Sequence, residues 1–280
     1  MATTTRQAPL LPASSGRAGF GGTLRSEFTK IGSVRSTVWT LLVLFAVSVG
    51  IGAVASRVSA TGWSNTPPAD RTPLDATQVS LVGLLVLGPL VIVVLGALVL
   101  SAEYSTGMIR TSLIAMPRRG VLYLAKAVAF GAVALVVSLA TALTAFFLGQ
   151  SLLASTHQSA TLAGPGVLRA VLGSALYITL CGLFAFGAAA VIRNTAATIT
   201  AMIGLLFVLP VLVNVLPWGW RDDLVRWLPT SAARAISATI WNAGPQNSNL
   251  FSSWGQFAVF AVYTVVLLVV GGILVCKRDA

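Results

Sequence analysis

Residues 76 to 102 read ATQVSLVGLLVLGPLVIVVLGALVLSA, twenty-seven positions without a single charge. A helix needs about 20 predominantly apolar residues to cross the hydrocarbon core of a bilayer, and this stretch supplies them with room to spare. Four further charge-free windows, at 36–56, 127–156, 170–192 and 194–220, can each house such a helix. The last uncharged window, 235–276, is polar in its first half and broken by Pro245, which leaves a span at about 254–275. The expected spans are therefore 37–56, 78–101, 121–148, 168–191, 196–216 and 254–275. Composition agrees: only 9% of the 280 residues are charged, against roughly 25% in soluble domains, and the mean hydropathy is +0.88. The chain reads as an all-α polytopic membrane protein of six helices.

The loops set the orientation. With the N-terminus in the cytoplasm, the inside segments hold twelve of the eighteen Lys and Arg and three acidic residues, a net +9; the outside segments hold six and four, a net +2. The positive-inside rule places both termini in the cytoplasm. Most of the +11 excess then serves orientation and contact with anionic lipid. No basic stretch interleaves with aromatics that could stack on bases, so nucleic acid is not an expected partner. Residues 1–22 are polar and rich in Gly, Ser and Thr, without the apolar core of a cleaved leader. They read as a disordered cytoplasmic tail.

The residues also argue against bond chemistry. His157 is the one histidine, and all seven carboxylates fall in loops or at span ends, so proton relays and metal catalysis are disfavoured. Cys181 and Cys276 lack a CxxC spacing and read as packing residues. No GxxxxGK[ST] occurs, so the chain has no P-loop of its own. Neither a catalytic residue, a metal ligand nor a bound cofactor is expected.

Three segments between the spans carry pattern. From Thr23 to Ser36, Leu24, Phe28 and Ile31 recur at i, i+4 and i+7 among Arg25, Glu27, Lys30 and Arg35, the stripe of a helix lying in the interface. Gly21 and Gly22 are read as its entry and Thr23 as its N-cap. From Glu103 to Pro117, Ile109, Leu113 and Met116 fall at i, i+4 and i+7, with Tyr104 and Met108 at i, i+4. Pro117 ends that helix, and Arg118 and Arg119 follow where its dipole favours cations; Glu103 could pair with Arg110 or with an Arg of a partner. The outside segment from Trp218 to Trp254 reads as a pair of short interfacial or re-entrant helices, with Asp222 or Asp223 as a cap and Pro229 as the divider.

In this order these features resemble the membrane subunits of type-2 ATP-binding-cassette exporters, in the version common in high-GC Gram-positive bacteria. The resemblance rests on Ser26-Glu27-Phe28-Thr29-Lys30-Ile31 with Ser33-Val34-Arg35-Ser36, on Glu103-Tyr104 with Gly107, on Pro117-Arg118-Arg119 followed by Lys126, and on Leu228-Pro229 with Ala232 and Ala233. Met108 departs from it, since the family often has Thr after the Gly. The resemblance implies an elbow helix at about 23–36 and a coupling helix at about 103–117 seated in a groove of a separate ATPase subunit, where ATP and Mg would bind. It implies one permease domain over 23–280 in a bacterial cell membrane, working with a second copy or a paralogue. Polar span residues, Ser138, Thr141 and Thr144, Tyr177 and Thr179, and Asn214, are candidates for a substrate path, and a path without intramembrane charge suits an amphipathic, drug-like or lipid-like cargo. A secondary carrier, a sensor accessory and an assembly factor are the other readings of a six-span chain.

Overall fold

A computed structural model describes residues 19–71, 74–105, 119–156, 159–240 and 251–277. Among these the regular elements are all helical: α1 Phe20–Ser33, α2 Arg35–Asn65, α3 Ala76–Ser105, α4 Arg119–Leu153, α5 Val167–Ile192, α6 Thr195–Asn214, α7 Trp218–Val225, α8 Pro229–Ser237 and α9 Ser253–Lys277. Six of them, α2 to α6 and α9, are long and apolar enough to cross a membrane. At about 1.5 Å per residue the 30 residues of α3 extend about 45 Å, more than the hydrocarbon thickness.

The bundle is organised around α5, whose apolar window is 72% buried while those of α2, α6 and α9 are 22% buried. α5 can be central because it presents small residues to every neighbour, Ala170, Gly173, Ser174, Ala185, Gly187, Ala188 and Ala189 among them. A Cβ added at Gly96 of α3 would stand 2.3 Å from the Gly182 carbonyl oxygen of α5, so the two backbones touch there. The α2–α3 contact is built the same way: a Cβ at Gly52 would meet the Ser80 carbonyl at 2.3 Å and one at Gly83 the Ser48 carbonyl at 2.2 Å. Of the small stretch at 50–53, Gly52 makes the contact, while Gly50 has open space around it.

Helix ends differ from the sequence reading in several places. α1 begins at Phe20, inside the stretch read as tail, with Gly19 as N-cap; Gly21 and Gly22 are helical, and Thr23 is a buried interior residue whose backbone N–H donates to the Gly19 carbonyl. Two glycines disfavour helix by about 1 kcal/mol each, and the packing of Thr23 and Leu24 against the bundle overrides that. α2 continues past 56 to Asn65, and within this extension Ser56, Thr61 and Ser64 donate their hydroxyls to carbonyls of their own helix. Asp222 and Asp223 lie within α7, which Pro217 precedes, so neither caps it; Asp223 instead pairs with Arg226 one turn on. Pro229 is the first residue of α8, where its fixed φ and missing N–H cost nothing.

Prolines inside the spans are absorbed differently. Pro89 sits within α3, which stays helical throughout. In α6 a π-helical turn, Gly204–Val208, immediately precedes Pro210, and the wider turn relieves the carbonyls that the proline ring leaves without a donor.

Candidate functional site

At the end of the bundle where α1 packs, α4 starts at Arg119, directly after the segment 106–118. α1 lies against α4 and α2 and buries Thr23, Glu27 and Ile31, which follow at i, i+4 and i+8. Leu24 is half-buried beside them, while Phe28 is 39% exposed and Arg35 points outward. The stripe expected to anchor the helix is thus divided: Ile31 faces the protein, and Phe28 faces the surroundings. An acid occupies the middle of the buried face instead.

That acid is neutralised from a distant part of the chain. Lys126, two turns into α4, places its Nζ 2.6 Å from Glu27 Oε2, with the two side chains 4% and 2% exposed. Lys30 Nζ stands 3.0 Å from the other oxygen, Oε1, and is 41% exposed. Burial alone would push the Glu27 carboxyl up; the charge and hydrogen bond of Lys126, helped by Lys30, more than offset it and hold it below its ordinary value. The pair ties the first amphipathic helix to the base of the third span.

Other polar links sit at this end. The Tyr123 hydroxyl donates to the Leu268 carbonyl at 3.1 Å, joining α4 to α9. Thr195 Oγ1 donates to Ser101 Oγ at 2.7 Å, joining α6 to α3. Arg193, a left-handed C-cap at φ 57°, reaches the Leu274 carbonyl, joining α5 to α9. A displacement imposed on the start of α4 thus meets direct hydrogen-bonded contacts to α1 and α9.

The expected docking segment itself, Gly107, Met108, Ile109, Arg110, Leu113, Met116, Pro117 and Arg118, lies outside the described residues, as does His157. Glu103 and Tyr104 fall in the last turn of α3, and Arg119 opens α4. The candidate path residues do not converge. Ser138 and Thr141 are buried on α4, Thr144 is exposed, Tyr177 and Thr179 are buried on α5, and Asn214 is exposed on α6. Thr141, Thr179 and Asn214 each donate to a carbonyl one turn back in their own helix. Tyr177 lines a cavity of about 440 Å³ at the opposite end of the bundle from α1.

Two features escaped the sequence reading. The Glu27–Lys126 pair joins positions 99 residues apart; its signal is a lysine two turns inside an otherwise apolar helix, which needs a counter-charge. Asp75, seen only as a loop acid, accepts from the Gln78 and Thr239 backbone N–H groups and the Thr239 hydroxyl at 2.7 to 2.9 Å, and from Ile240 N–H at 3.0 Å. It caps α3 and holds the end of α8 with one carboxylate.

No curated protein matches the chain. The family model described as "ABC-2 family transporter protein" matches residues 23–214, more than half of it, beginning within α1 and ending with α6. With six spans arranged on a central α5 and a match of that extent, the chain belongs to the ABC-2 family of transporter proteins, as a membrane component.

Proposed function

We propose that the chain is the permease subunit of an ATP-binding-cassette exporter that moves an amphipathic, drug-like or lipid-like substrate across a bacterial cell membrane. Membership of the ABC-2 family over residues 23–214 is the observation that carries this reading. A separate ATPase subunit supplies the energy, binding ATP and Mg itself. The segment from Glu103 to Arg119 docks on that subunit, and both termini lie on the same, cytoplasmic side. Two permeases, copies or paralogues, share one pair of ATPases.

The arrangement of charges supports a mechanical role for this chain. Segment 106–118 joins the end of α3 to the start of α4, and Lys126 ties α4 to Glu27 two turns later. A push on the segment is passed to α3 and α4 by the chain and to α1 by a short buried ion pair, so the elements move as rigid bodies. Affinity purification of the tagged chain with its genomic neighbours tests the reading. An ATPase subunit is expected to co-purify, and Leu113→Asp is expected to abolish its binding while the chain still inserts. Retained binding by Leu113→Asp overturns the docking assignment, and absence of any bound ATPase from the wild-type complex overturns the exporter reading.

A further inference from the structure

The cavity of about 440 Å³ lies between the second half of α2, the start of α3, α5 and α8, within the size range of small-ligand sites. Its lining is sorted along its length. Ser59, Gln78, Thr230 and Arg234 line it near the helix ends, and Val82, Leu85 and Val86 continue it toward the middle of α3. From Gln78 to Val86 is about 12 Å along the helix axis. Among the described residues, the side chains of those four polar groups have no hydrogen bond or ion pair within the chain. Arg234 is exposed on α8, and two acids at this end are engaged elsewhere: Asp75 by Thr239, Ile240 and Gln78, and Asp223 by Arg226. A guanidinium, hydroxyls and an amide at one end, and behind them a slot of aliphatic side chains with the Tyr177 ring, match one kind of ligand.

We propose that this cavity is a binding site for an amphiphile with an anionic head, the head held by Arg234 with Ser59, Gln78 and Thr230 and the alkyl tail lying along Val82, Leu85 and Val86. As a substrate site it deepens the exporter reading and rests on it; binding itself does not require the ATPase. The purified full-length chain in nanodiscs of zwitterionic lipid, with no ATPase present, is titrated with a photoactivatable long-chain alkyl phosphate. Saturable labelling of peptides from 74–86 or 229–237 is expected. Arg234→Gln, a change at an exposed position, is expected to weaken binding about tenfold or more, because a charge-assisted contact is lost. Val82→Trp, which fills the slot, is expected to abolish it.

The alcohol with the same tail is expected to label weakly and equally in wild type and Arg234→Gln. Equal labelling by alcohol and phosphate marks an ordinary lipid-filled crevice and overturns the proposal. Inorganic phosphate is expected not to compete at the concentration at which the alkyl phosphate saturates. Competition at that concentration, with no gain from the tail, marks a free-anion site and overturns the amphiphile assignment. Because the nanodisc holds the permease alone, a failed ATPase association leaves this result readable, and a failed titration leaves the ATPase association untouched.

Discussion

Glu27 and Lys126 are each a liability made useful by the other. A carboxylate at 2% exposure and an ammonium at 4% have both left water, and each is tolerated because its partner is 2.6 Å away. Removing one partner strands the other, which costs about 3–5 kcal/mol, whereas replacing both by apolar residues of similar size is often neutral. Glu27→Gln is therefore expected to lower the thermal unfolding midpoint of the solubilised chain, and Glu27→Leu combined with Lys126→Met is expected to recover most of the loss. Equal midpoints for wild type and Glu27→Gln would remove the pair from the account. The pH dependence follows from the lowered carboxyl. A group whose folded value is depressed stabilises the fold fully above its unfolded value, about 4.3, and loses that contribution as pH falls through the lower folded value. The gap between wild type and Glu27→Gln is thus expected to stay constant from pH 7 to about 5 and to close at lower pH. Sequence placed Glu27 in an amphipathic helix and Lys126 at the mouth of a span. It could not join them, because an ion pair across 99 residues follows from packing and leaves no trace in periodicity.

At the scale of elements, apolar length decided where helices form, and backbone chemistry decided where they end. The charge-free windows located all six candidate spanning helices because an apolar stretch of this length satisfies its backbone in hydrocarbon by forming a helix. The ends were harder: α2 runs beyond the apolar window to Asn65, and packing carries α1 back through Gly21 and Gly22. Small residues were legible as packing residues, but which faces touch was not, as Gly50 and Gly52 show. Gly83→Val tests the tighter of the α2–α3 contacts. Its Cβ would overlap the Ser48 carbonyl, and overpacking of this kind costs about 1–3 kcal/mol, read as a lower unfolding midpoint; Gly50→Val, in open space, is expected to change little. Asp75→Ala withdraws four acceptor contacts from two elements at once. Hydrogen exchange is expected to rise in the peptide covering 230–240 and at the start of α3, while the exchange of α5 stays as it was. Unchanged exchange at 230–240 would show that α8 is held by its apolar face alone.

At three span ends a cation is tied to an oxygen atom. Arg169 at the start of α5 donates to the Ala238 carbonyl at 2.6 Å, Arg193 at its other end donates to Leu274, and Lys126 holds Glu27. This leaves the middle of the bundle to small, aliphatic and aromatic side chains, without charge held deep in the bilayer. Orientation then depends on the loops, where the cationic excess is strongly one-sided. A cysteine scan reads that asymmetry. Cys181 is buried and Cys276 exposed, so Cys276→Ser gives a quiet background. In intact cells a membrane-impermeant maleimide is expected to label Asp223→Cys, in α7, and to leave Thr111→Cys unlabelled until the membrane is opened. The two sites differ in side because α4, α5 and α6 lie between them, and an odd number of crossings must change the compartment. Labelling of both from outside would mean that one of these helices does not cross. Labelling of Thr111→Cys alone would invert the protein, placing the segment proposed to dock on an ATPase outside the cell, where no ATP could drive it.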